Sequence, residues 1–146
     1  MSIKQISVFL ENRPGALEEF TALLGEGNID LMALSLADTT DFGIARAIVD
    51  KTEKALELAK SRGFTANITE VLAVEVPDSP GGLAGALRVL REGDISIEYL
   101  YSFVRRVHHN AIIIFRVDKP AEAENILKQN GVSMLRQEEI NCAIEN

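Results

Sequence analysis

Cysteine and histidine are scarce in this chain, and tryptophan is absent: it has 1 Cys, 2 His and 0 Trp in 146 residues. Cys142 has no partner for an internal disulfide and no neighbour at metal-ligand spacing. Small secreted domains are commonly stapled by disulfides, so this usage fits a reducing cytoplasm. The two histidines, His108 and His109, are adjacent. Neighbouring extended residues point apart, so a solvated turn is expected there and no metal site. Long apolar runs are also missing. The longest strongly apolar stretch, Ala111 to Phe115, falls far short of the roughly 20 residues of a membrane span. The opening segment MSIKQISVFLEN lacks the apolar core and small-residue cleavage site of a signal peptide. A cytoplasmic location without membrane contact is the expectation.

Positive charge is in deficit, with 15 Lys+Arg against 22 Asp+Glu and a net charge of −7. Nucleic-acid binding rests on neutralising phosphates with Lys and Arg, so that class is excluded. An anionic membrane surface is excluded on the same ground. The densest basic patch is only Arg105-Arg106. Catalytic signatures are missing too. There is no Gly-x-Ser-x-Gly turn, no Walker loop and no dinucleotide loop, so no enzyme activity and no cofactor are expected.

What the chain has is a repeat. Pro14-Gly15-Ala16-Leu17 returns 66 residues later as Pro80-Gly81-Gly82-Leu83. At the same offset Val8, Leu24, Glu26, Gly27 and Ile29 match Val74, Leu90, Glu92, Gly93 and Ile95. Further on the offset becomes 68, where Val49-Asp50-Lys51, Ala55, Lys60 and Gly63 match Val117-Asp118-Lys119, Ala123, Lys128 and Gly131. The second copy therefore holds two extra residues between those blocks. The chain divides into two modules, 1–70 and 71–146.

Each module reads alike. Residues 3–10 alternate, with Ile6, Val8 and Leu10 on one face of a strand. Pro14 suits the first helical position, and Leu17, Phe20 and Leu24 form a buried stripe. Gly27 suits a left-handed cap. Strands at 29–36 and 43–50 flank a turn at Asp38-Thr39-Thr40-Asp41. Asp50-Lys51-Thr52-Glu53 resembles a capping box for a helix that ends at Gly63. A last strand covers 65–70. The second copy predicts strand 71–76, helix 80–92 capped by Ser79, and strands 95–103 and 110–118 around a longer hairpin. Helix 120–130 and a final strand at 132–142 follow. The order β-α-β-β-α-β is that of the ferredoxin-like sandwich. The expected class is α+β: two such sandwiches, antiparallel sheets with helices on one face. With no linker between strands 65–70 and 71–76, the modules are expected to be tightly coupled.

The stretch Val8 to Leu17 followed by Gly27-Asn28-Ile29-Asp30-Leu31 resembles the ACT domain. Val74 to Leu83 followed by Gly93-Asp94-Ile95-Ser96-Ile97 resembles it again. The resemblance covers the chain as tandem copies. It implies regulation by a small ligand, most often an amino acid, held between paired domains near the loop joining the first strand to the first helix. It also implies a homodimer and a partner enzyme of amino-acid metabolism. Both copies are accounted for and nothing is left over for catalysis, so the chain looks like a stand-alone regulatory module.

The ligand-binding candidates are Asn12, Arg13, Pro14, Gly15, Ala16 and Leu17 in the first loop. In the second they are Asp78, Ser79, Pro80, Gly81, Gly82 and Leu83. Helix N-termini present unpaired N–H groups that receive carboxylates, and glycine lets a ligand approach the backbone. Arg13 offers a cationic fork for a ligand carboxylate, Asn12 an amide, and Asp78 an acceptor for an α-ammonium. Tyr99, Tyr101 and Phe103 share a strand face where the first copy has Ala33, Ser35 and Ala37. They read either as packing in the core or between sheets, or as a wall of the ligand cavity. The same fold hosts acylphosphatases, which Arg13 invites, but their glycine-rich cradle is missing. It also hosts RNA-binding modules, which need basic charge, and metal chaperones, which need paired cysteines. The rival reading is a ligand-free interaction or regulatory subunit docked on an enzyme.

Overall fold

The computed structural model describes residues 2–38, 41–107 and 109–142. In the first repeat β1 (Ile3–Glu11) leads into α1 (Ala16–Glu26), β2 (Leu31–Asp38), β3 (Phe42–Val49) and α2 (Thr52–Ser61). One strand, β4 (Thr65–Val76), then serves both repeats. The second repeat continues with α3 (Gly82–Glu92), β5 (Ile97–Ser102), β6 (Ala111–Val117), α4 (Pro120–Gln129) and α5 (Gln137–Asn141). The six strands form one antiparallel sheet in the order β2-β3-β1-β4-β6-β5. The expected ferredoxin-like order is present, with the two predicted strands at 65–70 and 71–76 fused. The predicted turn at Thr39-Thr40 lies outside the described residues, as does His108.

The joint is built into β4. Its first half pairs with β1 (Phe9 opposite Thr65, Ile3 opposite Val71) and its second half with β6 (Leu72 opposite Phe115, Val76 opposite Ala111). Alternation runs through it without a break. Ala66 packs in the core under α1 and α2, and Leu72, Val74 and Val76 pack in the core under α3 and α4. Val71 and Ala73 face the other way, into a third core between the repeats. There Ile3, Met32, Ala33 and Ile48 meet Tyr101, Phe103, Ile112, Ile114, Leu135 and Ile140. The sheet curls around this core until its outer strands meet, with Ala33 opposite Phe103 and the Val104 N–H donating to the Met32 carbonyl at 2.9 Å.

The final strand at 132–142 is corrected. Only Ser133 to Leu135 run along β4, through Glu75 N–H to the Ser133 carbonyl (2.9 Å) and Leu135 N–H to the Ala73 carbonyl (2.8 Å). The physical reason is occupancy: β6 holds one edge of Leu72 to Val76, and on the other edge β1 takes Val71 back to Thr65, so a strand running antiparallel past Ala73 meets β1. The chain turns away into α5, whose Ile140 plugs the third core.

The repeated Val-Asp-Lys segment is a staple and not a capping box. The Asp50 carboxylate accepts from the Asp30 N–H at 2.9 Å, and Asp118 accepts from Ser96 N–H at 3.0 Å. Lys51 donates to the Asn28 carbonyl (2.6 Å) and Lys119 to that of Asp94 (3.0 Å). Asn28 and Asp94 take the left-handed conformation, φ 55° and 58°. Gly27 does not, with φ −82°. A Cβ there would press on the end of the Leu58 side chain of α2.

Candidate functional site

Each repeat opens its first helix through the same turn. The Ala16 N–H donates to the Arg13 carbonyl (3.3 Å) and the Gly82 N–H to the Ser79 carbonyl (3.0 Å). Gly15 (φ 86°, ψ −8°) and Gly81 (φ 87°, ψ −7°) hold the left-handed third position. This is a type II turn, which favours proline second and requires φ above zero third. The Pro-Gly pair is therefore the turn itself. The helices begin after it, at Ala16 and Gly82, and Ser79 does not cap α3 with its side chain.

A cleft lies beside each turn. The first, about 290 Å³, is bounded by Arg13, Ala16, Glu19, Phe42 and Arg62 to Thr65. The second, about 410 Å³, is bounded by Glu75 to Pro77, Gly81, Gly82, Gly85, Asn110 and Asn130 to Ser133. The repeat offsets superpose these walls: Phe9 on Glu75, Ala16 on Gly82, Glu19 on Gly85, Phe42 on Asn110, Gly63 on Gly131. Each cleft is built from one repeat alone. A smaller hollow of about 170 Å³ holds Asn12, Arg13, Ala16 and Leu17 against Leu36 and Gly43 of the neighbouring hairpin.

The candidates thus separate. Arg13, Ala16, Gly81 and Gly82 line the two larger clefts, and Asn12 and Leu17 the smaller hollow. Pro14, Gly15, Asp78, Ser79, Pro80 and Leu83 line none of the three. Asp78 is paired with Arg106 at 2.6 Å. Arg13 lies between Glu11 (3.2 Å) and Glu19 (2.9 Å), and the Glu19 hydrogen bond above all raises its pKa from the ordinary value. Sequence reasoning missed Glu19, Gly85, Arg62 and Asn130. The matched Gly63 and Gly131 were the available signal, because they place the second loop of each cleft.

Tyr99 and Tyr101 stand away from these clefts, at the joint between the repeats. Tyr101 donates to the buried Gln5 Oε1 at 2.6 Å. The same Gln5 amide donates to Tyr99 Oη (2.9 Å) and Ser7 Oγ (3.1 Å). The Arg46 guanidinium sits 3.9 Å over the Tyr99 ring, a cation–π contact that ties β3 to β5. Among the described residues no cluster of three or more His, Cys, Asp or Glu could hold a metal ion. No helix among them is long and apolar enough to cross a membrane.

A family model described as an ACT domain pair matches residues 1–144. The structure is similar to the crystal structure of a Bacteroides thetaiotaomicron protein at 37% identity and a TM-score of 0.89, over 97% of this chain and 96% of that one. It is similar in fold to the ligand-free regulatory subunit of aspartate kinase from Thermus thermophilus, at 19% identity, a TM-score of 0.63, and 88% and 90% coverage. The corresponding subunit from Thermus flavus gives 16% identity, a TM-score of 0.57, and 86% and 90% coverage. No curated protein matches.

Proposed function

Because the chain belongs to the ACT domain pair family, we propose that it is a regulatory module that senses an amino acid at the clefts beside its Pro-Gly turns. The observation that carries this reading is the pair of superposable clefts, each beside a Pro-Gly turn and the start of a helix, the end whose dipole favours a carboxylate. The fold shared with two regulatory subunits of aspartate kinase supports a regulatory role. The reading includes a second copy of the chain. Each cleft is one-sided, and Phe9 and Phe42 beside the first are 43% and 54% exposed, an apolar surface suited to a partner copy. An enzyme of amino-acid metabolism is the regulated target in this proposal.

Thermal unfolding with each standard amino acid at about 10 mM tests it. A ligand at 100 times its Kd stabilises by about 2.7 kcal/mol. A rise in Tm with one or a few amino acids is expected. Sedimentation should give a dimer that Phe42→Ser weakens. A flat panel, with an enzyme recovered as a stable partner, would favour the ligand-free docking reading.

A further inference from the structure

Four strands of the first repeat place four polar residues in one row. Ser35 on β2 is opposite Arg46 on β3, Arg46 is opposite Ser7 on β1, and Ser7 is opposite Asn67 on β4. Strand alternation puts the row on the helix-free face of the sheet, beside the third core. The repeat offsets map it onto Tyr101, Ile114, Ala73 and Leu135 of the second repeat. Those four are buried in the third core. One repeat thus fills this row with core, and the other keeps it polar.

Arg46 is the unbalanced group of the row. Every other arginine either pairs with a carboxylate or stands exposed on α3. Arg46 is partly buried, and its guanidinium rests on the Tyr99 ring without a carboxylate or a hydrogen-bond acceptor among the described residues. A buried cation without a counter-charge is costly, and this chain has carboxylates in excess to supply one, 22 Asp+Glu against 15 Lys+Arg. Stacking uses the face of the guanidinium and leaves the N–H donors of its edge. The neighbours are donors as well. Ser7 Oγ and Tyr99 Oη both accept from the Gln5 amide, so their own O–H groups remain to donate.

We propose that this row is a ligand site, separate from the clefts, for an organic carboxylate that carries no ammonium group. No Asp or Glu stands in the row, so an α-ammonium there meets the Arg46 charge and no counter-charge. An α-keto acid is complementary to it. The carboxylate suits the planar fork of Arg46, and the keto oxygen is a further acceptor for Ser7, Ser35 or Asn67. Phe9 and Ile44, two residues along β1 and β3 from Ser7 and Arg46, are opposite each other and offer an apolar patch for the ligand's body. Two residues along a strand span about 7 Å, the reach of a short branched acid.

The chain has no tryptophan, and both of its tyrosines bond to Gln5 beside the row. Tyrosine emission therefore reports on this place, and calorimetry on the full chain gives the stoichiometry. The probe is α-ketoisovalerate, and the control is valine, the same skeleton with an ammonium group. A saturable change in emission is expected with the keto acid at one equivalent per chain, and no change in emission with valine. Arg46→Met keeps bulk on the Tyr99 ring, removes the fork and should weaken keto-acid binding by at least about tenfold. Arg46→Lys, which keeps the charge alone, should fall between. Asn67→Ala leaves the Tyr99 contact untouched and should weaken binding about threefold or more while melting as the parent does. Those two variants decide the matter if Arg46→Met fails to fold. Absence of keto-acid binding in the parent, or parent-like binding in folded Arg46→Met, overturns the site. A change in emission with valine equal to that with the keto acid overturns the ligand class. Loss of a dimer in Arg46→Met, with no keto acid bound by the parent, overturns the proposal and makes the face a protein contact. Thermal shifts with amino acids are decided at the clefts, away from the tyrosines, so the two readings fail separately.

Discussion

Three glycines beside the second turn have three different physical reasons to be glycine. Gly81 holds a left-handed turn position, Gly85 borders open space, and Gly82 touches backbone. A Cβ on Gly82 would collide with the Pro77 carbonyl, and a backbone atom cannot rotate out of the way. Gly82→Ala is expected to cost about 1–3 kcal/mol. Gly85→Ala is expected to gain about 0.5–1 kcal/mol, because alanine is the better helix residue. Urea unfolding of the two variants checks the opposite signs. Tyr101 supplies a second residue-level prediction. Burial above all, with a contribution from Tyr99, raises its pKa beyond the ordinary tyrosine range, while Arg46 acts the other way. A neutral hydroxyl held this way contributes fully below the unfolded pKa of about 10, and the unfolded chain gains by ionising as pH rises above that. Stability is therefore expected to fall with increasing pH from about 10 upward. Tyr101→Phe should flatten that fall and cost about 1–3 kcal/mol at neutral pH, because Gln5 loses a buried donor. Melting curves at a series of alkaline pH values, read beside tyrosinate absorbance, test both parts.

At the scale of elements, the Val-Asp-Lys staple accounts for the identity between the repeats at that point. It closes the end of a strand hairpin onto the turn after a helix, and the same two contacts recur in both copies. Asp50 is 9% exposed, whereas Asp118 is exposed. Asp50→Ala is expected to cost about 1–2 kcal/mol and Asp118→Ala less, since the first bond is part-buried and the second exposed to water. Equal losses by denaturant unfolding would count against a burial effect. Element order up to α4 was legible because apolar alternation and the repeat agreed there. The ends of elements were less so. A type II turn and an N-cap use the same residues, so Pro14 and Pro80 read as helix starts when they are turn residues. The last strand failed for a non-local reason: nothing between 132 and 142 records that β1 already occupies the edge it would need. The clefts were half legible. The Pro-Gly loops marked one wall, but Glu19 and Gly85 matter only by comparison with each other. Tyr99 and Tyr101 drew attention through their size, and the joint between the repeats accounts for it.

The whole molecule is governed by β4, which belongs to both repeats and cannot be divided without cost. A cut after residue 70 splits the strand between its pairing with β1 and its pairing with β6. It also opens the third core, to which the first repeat gives Ile3, Met32, Ala33 and Ile48 and the second gives Ile112, Ile114, Leu135 and Ile140. Each half would keep its own helix-covered core. Each would also expose one whole face of its sheet, and units of about 70 residues have little stability to spare. The two extra residues of the second repeat act at this scale as well. They lengthen the β5–β6 hairpin, which reaches across to the first repeat: Phe103 pairs with Ala33, Val104 bonds Met32, and Arg105 pairs with Asp30. The expectation is one cooperative transition for the full chain and none for the fragments 1–70 and 71–146 expressed separately. Mixing the fragments should restore part of the native circular dichroism, since both sides of the joint are then present. Ile114→Ala, at the centre of the joint, should lower stability by about 2–5 kcal/mol and keep a single transition. Two separate transitions in the full chain, or a cooperatively folded 1–70, would mean that the repeats stand independently and that the joint couples nothing between the two clefts.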